Sequence, residues 1–167
     1  MTQSSDTRDL DLWNRVVETE RAFVEARMAL FSGATSIVEL VRQALHRPTE
    51  RATALGIAKL LNPQQRQALF PDLLSLASVG HGLTSASRDL ILSLPRDWVL
   101  STIDKTAQPI LEQGGYEEYQ RLLELYAELD RDLALRLAQQ AAAHKDPEVQ
   151  EAGRDFLGRR QQRSVPD

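Results

Sequence analysis

Apolar residues recur along this chain at steps of three and four, the spacing that puts side chains on one face of an α-helix. Leu12, Val16, Phe23 and Leu30 form one stripe, and Trp13, Val17, Val24 and Phe31 form the stripe beside it. Together they predict a long first helix reaching Phe31, capped by Ser4, Ser5 or Asp6 and stopped by Ser32-Gly33. Its wide apolar face is of the kind a globular helix buries, and Glu20 and Arg27 interrupt it. No segment alternates with the period of two that marks a half-buried strand, and no Asn-Gly or Asp-Gly turn joins two apolar runs.

Start and stop signals divide the rest of the chain. Thr35 or Ser36 opens a second helix through about His46. Pro48-Thr49-Glu50 begins a third, to Leu61, whose apolar residues face most directions and place it in the middle of the packing. Gly56 costs that helix about 1 kcal/mol against Ala, a loss that close approach to a neighbouring helix would offset. Asn62-Pro63 is a cap-plus-proline start for a fourth helix, which Pro71 kinks or splits near Phe70. Thr84 or Ser85 caps a fifth, running to about Leu94. Pro95 starts a sixth, Pro109 bends the chain, and Gly114-Gly115 stops it. Tyr116 to Leu129 and Asp130 to His144 follow as two amphipathic helices. Asp146-Pro147 then opens the last, to about Arg160, with Val149, Ala152 and Phe156 on one narrow face. Small residues in the middle of that face suit a close helix crossing.

The spacing of these helices carries information that single stripes do not. Val149, Ala152 and Phe156 match Tyr116, Tyr119 and Leu123 after a shift of 33, and a second shift of 33 gives Leu83, Ala86 and Leu90. Ala54, Ile57 and Leu61 repeat the steps after a shift of 29. A second helix lies between each pair, so the implied unit is a helical hairpin of about 33 residues. The expected fold is all-α, with nine or ten helices in one helical-repeat domain at 6–160, a flexible lead at 1–5 and a flexible tail at 161–167.

Asp146 to Leu157 resembles the first helix of a HEAT repeat, in which a turn Asp and Pro precede Val, Ala and a large apolar residue; Arg47 to Leu61 is a looser match. That resemblance implies a right-handed α-solenoid of about four hairpins. As second choice, Gly114 to Asp130 resembles the second helix of a tetratricopeptide repeat, although Tyr119 and Tyr126 stand where that motif wants small residues.

Composition narrows the functional classes. Hydrophobic residues make up 42% and charged residues 26%, the balance of a folded chain rather than a disordered one. With aromatics at only 5%, the core must be mostly Leu and Ala. A net charge of −4 argues against a dedicated nucleic-acid binder. The chain has no cysteine, which removes disulfides, thiolate metal sites and a Cys nucleophile, and fits a cytoplasmic protein. No signal peptide is visible, and no apolar run approaches the length of a membrane span.

Candidate chemistry is sparse. His46 and His144 fall at helix C-termini, where they complement the dipole, and His81 lies between two glycines as an exposed loop residue. None has ligand spacing, so no metal or cofactor is expected. No phosphate-binding glycine loop or nucleophile elbow occurs. Glu117, Glu118, Glu124, Glu128, Asp130 and Asp132 read as a solvated acidic face, or as a docking strip for a basic partner. Asp97 and Asp104, seven apart, could share a face as an acid–base pair. Arg42, Arg47, Arg51, Lys59 and Arg66 form one basic group, and Arg154, Arg159, Arg160 and Arg163 another. Trp13 and Trp98 read as core or semi-core residues; beside Arg96, an exposed Trp98 would make a binding anchor.

The expected function is therefore a non-enzymatic protein–protein interaction module or adaptor, of the compact kind familiar among bacterial HEAT-like proteins. Aligned second helices would offer the surface for a protein or peptide partner. Arg96, Trp98, Arg131 and Arg136 are the expected contacts. Two alternatives stand beside it. One, implied by the HEAT resemblance, is a nucleic-acid-acting protein of the DNA glycosylase kind. The other is a small helical subunit of a complex, in which the aromatic first helix docks onto a partner or a second copy as a homodimer.

Overall fold

The computed structural model describes the backbone of residues 3–163 and the side chains of residues 7–158. The expected caps Ser4, Ser5 and Asp6, the side chains of Arg159, Arg160 and Arg163, and most of the lead and tail lie outside the described side chains. The described chain is all-α, with ten helices and no strand among the described residues. They are α1 (Gln3–Gly33), α2 (Ile37–Leu45), α3 (Arg51–Ala58), α4 (Pro63–Ala68), α5 (Phe70–Ala77), α6 (Thr84–Leu92), α7 (Arg96–Gln113), α8 (Tyr116–Leu129), α9 (Arg131–Ala142) and α10 (Pro147–Arg163). None of these is long and apolar enough to cross a membrane.

Most start signals act as their chemistry predicts. The Asn62 side chain accepts from the Gln65 amide at 2.9 Å, and the Gln65 side chain accepts in return from the Asn62 amide at 3.1 Å. That reciprocal pair satisfies two N–H groups the first turn leaves open. Asp130 accepts from the amides of Asp132 and Leu133, both at 3.0 Å, and starts α9. Asp146 accepts from the Glu148 amide at 3.0 Å and starts α10, with Pro147 as its first residue. Pro71 divides the expected fourth helix into α4 and α5, with Leu69 between them. Pro109 stands inside α7, which runs on to Gln113.

Four local expectations are corrected. Pro48 and Thr49 lie in a turn, and α3 begins only at Arg51, after Glu50. Gly56 is exposed and meets no neighbouring helix, so its propensity cost has no packing return. Leu83, not Thr84 or Ser85, precedes α6; the Thr84 hydroxyl donates instead to the carbonyls of Val79 and His81 at 2.9 and 2.8 Å. His81 is half-buried rather than exposed. Its Nδ1 accepts from the Leu83 amide at 3.1 Å and its Nε2 donates to the Leu76 carbonyl at 3.0 Å, so the ring closes the turn.

The chain divides into two compact units, residues 1–40 and 41–167. The first is α1 with the start of α2. Trp13, expected in the core, is 64% exposed there, and Leu10, Leu12, Val16, Val17, Phe23, Met28 and Phe31 are exposed with it. The second unit holds every buried hydrophobic side chain among the described residues, from Val41 to Ala152. Its centre is Leu45, Leu69, Phe70, Leu73 and Leu74, continuing through Leu90, Ile91 and Ile103 to Leu122, Leu123 and Leu125. In α3 the buried side is Ala54, Leu55, Ile57 and Ala58, while Ala52 and, just past the helix, Leu60 face outward, so the helix covers the core rather than running through it.

The most extensive helix pairing among the described residues joins α9 to α10. Val149 and Ala152 of α10 and Ala138 and Ala141 of α9 are all buried, and Phe156 is half-buried. Gly153 makes that approach possible. A Cβ there would lie against the Ala142 nitrogen and within 2.7 Å of the Ala138 carbonyl oxygen. Small residues let two backbones touch where larger ones would hold them apart.

Candidate functional site

A trench of about 560 Å³ opens in the second unit between α7 and α9, with α8 beneath. Residues four apart on a helix point the same way, and both walls follow that rule. Asp104, Gln108 and Glu112 of α7, with Lys105 beside them, make one wall. Arg136 and Gln140 of α9, followed by His144, make the other. Tyr119 and Tyr126 of α8, with Leu111, Leu133 and Leu137, make the floor. The α7 wall therefore carries two carboxylates and one ammonium group, and the α9 wall carries a guanidinium.

The floor holds an unsatisfied group. Tyr126 is 1% exposed, yet its hydroxyl has no hydrogen-bond partner. Burial raises its pKa far above the ordinary tyrosine value, and the nearby Asp104 carboxylate raises it further, against the smaller pull of Arg136. The hydroxyl is thus a neutral donor at any physiological pH. Burial also raises the pKa of Tyr119, whose ring centre lies 5.7 Å from that of His144. The His144 Nδ1 accepts from the Asp146 amide at 3.1 Å, which orients the ring at the mouth of the trench. Gln108 donates to Glu112 at 2.7 Å along the α7 wall.

Of the four expected contact residues, Arg136 alone lines the trench. Arg96 donates to the Leu129 carbonyl at 2.9 Å and to the Asp130 carboxylate at 3.2 Å, and so covers the C-terminus of α8. Trp98 is half-buried, edge-on to Phe70 with ring centres 5.2 Å apart. Arg131 is exposed at the start of α9. Asp130 ties two of them together. Its carboxyl is held below the usual range chiefly by the Leu133 amide, and by the Asp132 amide, Arg96 and Arg136, against the opposing effect of burial. Asp104 of the Asp97–Asp104 pair lines the trench, and Asp97 does not.

The charged runs have partners within the fold. Glu117 accepts from the Gly80 amide at 2.7 Å, Glu118 from the Gly115 amide at 2.9 Å, and Glu124 from Arg88 at 2.7 Å. Arg42 donates to the Ala68 carbonyl and to Asp72, Arg51 to the Leu45 carbonyl, and Arg66 to Ser93. Several of these partners lie some 30 residues away, so the run itself does not reveal them. The trench was legible in part: Tyr119, Tyr126, Leu133 and Leu137 belong to the apolar stripes of their helices, and nothing local marks them as a floor. The spacing of Asp104, Gln108 and Glu112 was the available signal for the wall.

No protein-family model, curated protein or solved structure matches this chain. Among the described residues, no group of three or more His, Asp or Glu side chains could hold a metal ion.

Proposed function

We propose that this chain is a non-enzymatic interaction module that binds an extended segment of another protein in the trench between α7 and α9. The observation that carries the reading is the charge of the trench walls, with the Asp104 and Glu112 carboxylates on one side and the Arg136 guanidinium on the other, above a floor of tyrosine and leucine side chains. From Asp104 to Glu112 the wall runs eight residues, about 12 Å of helix, which suits about four residues of extended chain. The walls would select a segment with a basic side chain toward Asp104 and Glu112 and an acidic one toward Arg136. Two carboxylates beside one lysine suit phosphate poorly, which weighs against a nucleic-acid ligand.

The spaced stripes favour a short array of HEAT-like hairpins, with α7 and α9 as the second helices of two of them. The lack of cysteine suits work in the cytoplasm. Selection from a displayed library of random peptides tests the reading. The intact chain should enrich peptides pairing a basic with an acidic position, and R136E and D104K should lose them. Failure to enrich any sequence, or undiminished binding by both variants, would remove it.

A further inference from the structure

The exposed face of α1 carries a second, independent observation. Trp13, Glu20 and Arg27 follow one another at seven-residue steps, so they fall on nearly one line along the helix. Val16, Val17, Phe23 and Val24 flank that line on either side, and Phe31 extends it. Glu20 and Arg27 therefore stand in the middle of the apolar face and not at its edge. Trp13, Val16, Val17, Phe23 and Phe31 are all at least 40% exposed. The Arg27 guanidinium lies over the Phe23 ring, 5.6 Å from its centre, so its charge is held on that face. A contiguous apolar face of this length marks an interaction surface.

The two charges select the occupant. Their signs are opposite, and they stand two turns apart about a midpoint between Phe23 and Val24. An antiparallel second copy centred on that midpoint brings Glu20 of each chain level with Arg27 of the other, twice by symmetry. The same register sets Val16 level with Phe31, Val17 level with Leu30 and Phe23 level with Val24, so these apolar positions lie level with apolar ones. The overlap covers residues 14–33 of each helix, about 30 Å. A parallel copy in register would instead set Glu20 against Glu20 and Arg27 against Arg27, placing two like-charge contacts in an apolar seam. We infer that α1 is a self-association surface on which a second copy of this chain docks antiparallel, with Glu20 and Arg27 forming two symmetric ion pairs. A two-fold pairing of one patch with itself closes at two copies.

Charge reversal in the full-length chain tests this, read as the dissociation constant from sedimentation equilibrium across a dilution series. The natural chain should dimerise. E20R and R27E alone should each raise the constant roughly 100-fold, because either places like charges together twice in the seam. The double variant E20R/R27E should recover the natural value, since the ion pairs re-form with exchanged signs. Because the chain has no cysteine, orientation can be read separately. An equimolar mixture of V16C and F31C should oxidise to a cross-linked species joining one of each, and neither variant alone should cross-link. A natural chain monomeric at every concentration, single reversals without effect, a double variant that stays dissociated, or V16C cross-linking to itself would each overturn the inference.

Discussion

Tyr126 ties a stability prediction to one atom. Its hydroxyl is buried without a partner, so removing it takes away an unfavourable group and leaves the ring in place. Tyr126→Phe should leave the urea midpoint unchanged or raise it, with a gain of no more than about 1–3 kcal/mol. A large loss of stability would mean that the hydroxyl is bonded in solution. Asp130 gives a pH signature. Its carboxyl is depressed in the folded chain, so its contribution is present above the unfolded carboxylate value of about 3.9 and is lost as pH falls through the lower folded one. Asp130→Asn keeps a capping oxygen but cannot titrate. Its stability should therefore fall less steeply between neutral and strongly acid pH than that of the natural chain, as followed by urea unfolding.

At the scale of the element, most helix starts were legible, those of α3 and α6 excepted, and burial was not. Asn62, Pro63, Pro71, Asp130, Asp146 and Pro147 act through bonds or ring geometry within three residues of themselves, so local sequence contains what they need. Asn62→Ala should cost about 1 kcal/mol, seen as a lower unfolding midpoint, because the Gln65 amide loses its acceptor. Gly56 and Gly153 mark the limit. Both sit inside helical patterns, but only Gly153 faces another backbone, and which neighbour a helix meets depends on the tertiary arrangement. Gly153→Ala should destabilise by about 1–3 kcal/mol through overpacking of the α9–α10 crossing, whereas Gly56→Ala should be neutral or stabilising. Thermal unfolding of the two variants side by side checks the contrast. The partners of the acidic run of α8 were hidden for the same reason, since Gly80 and Arg88 lie far from it in sequence.

At the scale of the molecule, the all-α class followed from periodicity, because strands would have shown alternation over four or more residues. Division into two units did not, because the stripes of α1 look like those of any core-facing helix. Val41 is the first buried hydrophobic side chain along the described chain. A chain shortened to begin at Thr35 should therefore unfold cooperatively in urea at a midpoint close to that of the full chain. Loss of cooperative unfolding would show that α1 is needed for the fold.

Within the second unit, every well-populated helix pairing joins elements no more than three apart in the chain, from α3 with α6 to α5 with α8 and α8 with α10. No helix has to wait for a distant one. Loops closed early are short, and their entropic cost is low, so the search for native contacts is a series of neighbouring steps. Folding should be rapid, and during synthesis the helices through α6 can pack while α9 and α10 are still being made.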